Sequence, residues 1–115
     1  MPQYLALIYE DEAAYEKADV ETMKSVAIAH NEFGEKHGPA LRGGNALQPS
    51  SAATTLRRDA SGELVITSGP FAHAKENLGG YYVFEASDDD HAIAIASQVP
   101  ARFGGVELRP IRVFD

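Results

Sequence analysis

Two segments of this 115-residue chain, Tyr4 to Tyr9 and Tyr81 to Ala86, have the residue types of β-strands and are apolar at consecutive positions instead of alternate ones. A strand with one wet face alternates, so a strand apolar throughout calls for cover on both sides. Only two helical patterns are available to supply that cover. The first starts at Asp19 as N-cap, with Glu21 in its first turn, and presents an inward stripe of Met23, Val26, Ala27, His30, Phe33, Gly34 and His37. Gly38-Pro39 stops it, glycine as the C′ residue and proline just beyond. The second is capped by Ser87, with Asp90 in capping-box position, and carries a stripe of Ala92, Ile95, Ala96 and Val99 before Pro100.

Further strands are expected between and after the helices. Leu41 to Leu47 contains Gly43-Gly44 and reads as a bulged strand, and Gln48 to Ala52 as a loop. Ala53 to Arg58 and Glu63 to Thr67 form a hairpin around Asp59-Ala60-Ser61-Gly62. A glycine turn at Gly104-Gly105 leads into a last strand from Val106 to Phe114, which Pro110 restricts to an edge, a bulge or a strand end. The order predicts one α+β domain over residues 1–115, a ferredoxin-like α/β sandwich with an inserted hairpin. Right-handed crossovers put both helices on one face of the sheet. The other face then needs a second sheet, most economically that of an identical subunit, so a homodimer joined through sheet faces is expected.

Charge and composition narrow the functional classes. With 17 acidic against 10 basic side chains the formal net charge is −7, which opposes binding to a phosphate backbone, and no nucleic-acid partner is expected. The absence of cysteine removes disulfides, thiolate nucleophiles and thiolate metal sites. No apolar run approaches the roughly 18 residues of a membrane span, and with no basic n-region or cleavage site before Tyr4 no signal sequence is expected. A cytoplasmic location is the expectation, with no membrane partner.

The segment Ile66 to Tyr82, ITSGPFAHAKENLGGYY, packs a stiff turn, titratable side chains and a glycine pair between two strands. It resembles the signature of the DGPF branch of the YCII-related proteins, which Thr67, Gly69, Pro70, Phe71, Ala72, Lys75, Glu76, Leu78, Gly79, Gly80 and Tyr81 match. The signature's aspartate, glutamate and second threonine are replaced by Ser68, His73 and Ala74. The resemblance, which extends from Tyr4 to the Glu107-Leu108-Arg109-Pro110 ending, implies a dimeric α/β barrel. It also implies two alternatives of function. One is binding of a small organic molecule in a helix–sheet cleft with acid–base chemistry that needs no cofactor. The other is a non-catalytic accessory role beside transcriptional regulators of the sigma-factor kind.

Candidate chemistry starts from the histidines. His73 suits a general acid or base with Glu76 orienting its ring, and equally suits a solvated loop. His30 and His37 share one helical face about 10.5 Å apart, too far for one metal to bridge, so no metal site is expected. His30 then either is a satisfied half-buried residue or faces a cleft opposite the signature loop. Ser68 lacks the titrating group of the aspartate it replaces, and both residue types start turns by bonding backbone N–H groups. Phe71 and Ser68 are candidate ligand contacts, and Lys75 and Arg42 candidate anion holders. Leu78-Gly79-Gly80 reads as a turn or as a point of close ligand approach. Asp88-Asp89-Asp90 is explained by helix capping.

Overall fold

The computed structural model describes residues 1–114. Strand β1 (Gln3–Asp11) buries Tyr4, Ala6 and Ile8 on one face and leaves Leu5, Leu7 and Tyr9 half-buried on the other. Glu10 still pairs with the neighbouring strands, and Asp11 ends the element by accepting from the N–H groups of Ala13 and Ala14. That cap opens a short helix, α1 (Glu12–Lys17), which the sequence pattern did not separate from the helix after it. Helix α2 (Val20–His37) begins as expected, the Asp19 carboxylate accepting from Thr22 N–H at 2.7 Å. Its stripe is anchored by buried Phe33, whose ring lies 4.9 Å from that of Tyr82. Gly38 does not take the left-handed C′ conformation: its φ is −46°, and the chain tightens into a 3₁₀ turn over Gly38–Ala40 instead.

Strand β2 (Leu41–Ala46) is bulged at Arg42, since Leu41 faces Phe84 and Gly43 faces Val83. The hairpin β3 (Thr54–Arg58) and β4 (Leu64–Ser68) forms a separate sheet. Its connection includes Glu63, whose N–H, like that of Ser61, donates to the Asp59 carboxylate. Strand β5 (Glu76–Glu85) starts well before Tyr81, so Leu78-Gly79-Gly80 is strand and not turn. Gly79 is the extra residue of a bulge, because Ile8 faces Gly80 while Tyr9 faces Leu78. Pairing on both sides, with β1 and β2, overrides the poor strand propensity of the glycines.

Helix α3 (Asp89–Ala96) is capped by Asp88, whose carboxylate accepts from His91 N–H at 2.8 Å. Ser87 is not the cap; its N–H donates to the His91 ring. Ala92, Ile95, Ala96 and Val99 are buried as the stripe predicts. Strand β6 (Gly104–Pro110) absorbs the expected glycine turn, Gly104 and Gly105 facing Glu10 and Tyr9, and ends at Pro110 instead of Phe114.

The main sheet is antiparallel with order β2-β5-β1-β6, which puts proline-bearing β6 on an edge. Order and connectivity make a mixed α+β fold consistent with a ferredoxin-like sandwich. Helices α2 and α3 cover the same face, for Phe33, Ile95, Val99, Phe84, Tyr4 and Ile8 belong to one core cluster. The opposite face presents Leu5, Leu7, Tyr81 and Val83 without a covering layer from the chain itself. The radius of gyration is 16.3 Å, against about 13 Å for a compact chain of this length. The hairpin contributes to that excess: every one of its strand residues except Thr55 is exposed.

Candidate functional site in the cleft between helix and sheet

On the helix-covered face, pairing register aligns Ile8, Gly80 and Ala46 in one row and Tyr82 with Gly44 in the next. Gly44, Ala46, Gly79 and Gly80 place almost no side-chain volume under the first half of α2, and the space remains open. The result is a cleft of about 480 Å³, walled by Met23, Val26, Ala27 and His30 of α2 and floored by Ile8, Gly80 and Tyr82. The segment from Gly44 to Pro49 forms one rim and Glu10, Glu12, Tyr15 and Glu16 another. Its volume falls in the range of small-molecule sites. Close approach favours glycine at two of these positions: a Cβ on Gly44 would meet the Tyr82 ring at 2.8 Å, and one on Gly80 would press on the Asn45 carbonyl oxygen at 3.1 Å.

At the inner end, His30 Nδ1 and the Tyr82 hydroxyl share a hydrogen bond of 2.8 Å. Burial pushes the His30 pKa down, opposed in part by the negative charge of Glu10. Burial also pushes the Tyr82 phenol up. The pair therefore rests at neutral pH as imidazole and phenol. With the imidazole proton on Nε2, Tyr82 donates to Nδ1; in the other tautomer Nδ1–H donates to the phenol oxygen. A neutral imidazole beside an apolar cavity has the protonation state a proton acceptor needs.

Of the residues singled out in the sequence, His30 lines this cleft, and Ser68, Phe71, His73, Lys75, Glu76 and Arg42 do not. Ser68 ends β4 opposite Thr54. Phe71 is 68% exposed, with the Arg57 guanidinium carbon 3.8 Å from its ring centroid. His73 is exposed in the loop before β5. Lys75 Nζ lies 3.9 Å from the Asp11 carboxylate, and Glu76 opens β5 opposite Asp11. Arg42 donates to Glu85 at 2.9 Å and to the carbonyls of Pro39 and Leu41. His37 bonds Gln98 Oε1 through Nε2 at 2.6 Å. No cluster of three metal-ligating side chains occurs among the described residues, and no described helix is long and apolar enough to cross a membrane.

Sequence reasoning missed Tyr82 and the three rim glutamates. The available signal was alternation along the strand, since Tyr82 lies two residues from buried Phe84 and shares its face.

The model of the YCII-related domain matches residues 2–115. The chain belongs to the YCII-related family. A similar protein, 34% identical over a 120-residue alignment that covers 96% of this chain and 93% of the relative, is an uncharacterised protein of Rhizobium meliloti (strain 1021). The cleft of this YCII-related domain must therefore be read from its own side chains.

Proposed function

We propose that this YCII-related domain is a homodimeric small-molecule-binding protein, that its ligand occupies the cleft between α2 and the sheet, and that His30 exchanges a proton with it. The observation that carries this reading is the His30–Tyr82 hydrogen bond at a largely apolar cavity. A purely structural histidine has no need of an adjoining void. The chemistry this pair supplies by itself is general acid–base transfer: in the tautomer whose Nδ1–H donates to the Tyr82 oxygen, the free Nε2 takes a proton from a bound molecule while Tyr82 holds the ring in place. Support for the dimer comes from Leu5, Leu7, Tyr81 and Val83, an apolar sheet face that the chain leaves uncovered.

Chemical-shift mapping of isotopically labelled protein against a library of small organic molecules tests the binding site. Ligands are expected to move the resonances of His30, Gly80 and Tyr82 together. Ligands that cluster elsewhere, or a library without any that perturbs these residues, would overturn the assignment of the cleft.

A further inference from the structure

We infer that the cleft of this YCII-related domain is built for an organic cation, an amine carried on an apolar or aromatic body. The inference rests on the reading of the cleft as the ligand site and adds the sign of the ligand's charge. The cavity and the His30–Tyr82 pair define where a ligand sits; the rim defines what charge it brings. Among the described lining residues the side chains that carry charge are Glu10, Glu12 and Glu16, with no lysine or arginine to balance them.

Two of these carboxylates are held in place. Glu12 accepts from both the N–H and the hydroxyl of Ser50 at 2.9 Å, which ties the rim segment to the start of α1. Glu10 accepts from Phe103 N–H at 3.2 Å. Each carboxylate has about four acceptor positions, so these bonds fix direction and leave room for an ammonium donor. Tyr15 stands on the same rim with 41% of its surface exposed, an aromatic ring at the end where the positive charge would lie. Ile8, Met23, Val26, Leu47 and Leu78 supply apolar wall for the body of the molecule. Lys75 and Arg42 are engaged outside the cleft, with Asp11 and Glu85. The expected anion-holding role of these two residues thus has no counterpart in this cavity. The formal charge of −7 adds long-range attraction for a cation and repulsion for an anion.

The test uses matched probes: arylalkyl amines, alcohols and carboxylates on phenyl, naphthyl and indole bodies, titrated into the labelled protein at low salt. The amines are expected to perturb Gly80, Tyr82 and His30 and to bind about tenfold tighter than the carboxylates of the same body, the ratio given by 1.4 kcal/mol of differential binding. Glu16→Gln, at an exposed position, should keep the thermal stability of the parent and reduce that preference. Glu10→Gln should reduce it further. Carboxylates or alcohols that occupy the cleft as tightly as amines would overturn the cation inference and leave the small-molecule reading intact. If none of the three series perturbs the cleft, both are overturned.

Discussion

The Tyr82 hydroxyl and Nδ1 of His30, 52 positions apart in the chain, meet at 2.8 Å across the gap between sheet and helix. Burial lowers the His30 pKa, so the folded state holds this proton less tightly than the unfolded chain does. The contribution to stability is complete above the unfolded value of about 6.5 and is lost as pH falls from there through the folded value. Thermal unfolding followed between about pH 8 and pH 5 should show that loss in the parent and less of it in His30→Gln. The difference is expected to stay below about 1 kcal/mol, because His30 is only partly buried. Equal pH dependence of the two proteins would remove His30 from the list of buried titrating groups.

Removing the phenol oxygen tests the same contact from its other side. Tyr82→Phe keeps the ring against Phe33 and deletes the bond to His30. It should cost about 1 kcal/mol in denaturant unfolding. It should also return the His30 ring to faster tautomer exchange in nitrogen-15 spectra. An unchanged ring spectrum would mean that the bond does not order the imidazole in solution.

Gly104 and Gly105 are neighbours in β6 with opposite tolerance. A Cβ on Gly104 would collide with the Tyr9 carbonyl oxygen, whereas one on Gly105 meets nothing within 4 Å. Gly104→Ala is expected to destabilise by about 3 kcal/mol, at the upper end of overpacking costs, and Gly105→Ala by less than about 0.5 kcal/mol. Similar unfolding midpoints for the two variants would show that β6 does not approach β1 as closely as described.

The signature turn depends on backbone geometry. Gly69 has φ +110°, its N–H donates to the Ala53 carbonyl at 2.8 Å, and its own carbonyl accepts from Thr55 Oγ1 at 2.8 Å. Gly69→Ala should strain the turn by about 1–2 kcal/mol. The hairpin stands apart from the main core, so the cost should appear as faster amide exchange at Leu56 and Ile66 more than as a lower global midpoint. Unchanged exchange at these amides would overturn the steric argument.

The uncovered sheet face is expected to be covered by a second copy of the chain. Leu7 sits at the centre of the patch, opposite Tyr81. The parent protein should sediment as a dimer and Leu7→Glu as a folded monomer, since a carboxylate has no partner between two apolar sheets. A parent that sediments as a monomer at micromolar concentration would remove the dimer from the proposal.

Short-range physics made several elements legible along the chain. Runs of β-formers located β1 and the second half of β5, Asp19 located the start of α2, and helical spacing identified Ala92, Ile95, Ala96 and Val99 as a buried stripe. Each depends on residues within one or two turns of each other. The order of these elements then implied helices on a single sheet face, because crossover handedness leaves little choice. His30 could be placed on the inner face of α2 for the same reason.

The remaining features depend on contacts between segments far apart in the chain. Glu76 to Gly80 and Gly104-Gly105 look like turns alone and become strand because neighbours on β1 and β2 satisfy their backbone groups. Asp88 displaced Ser87 as a cap because two adjacent side chains compete for the same helix end, a contest that propensity does not resolve. The cleft itself could not be read in advance. It exists because register stacks the small residues of β2 and β5 under one stretch of α2, while the conspicuous signature loop is carried away on the hairpin. A void is a property of what three distant segments fail to fill, and no local pattern in the chain records it.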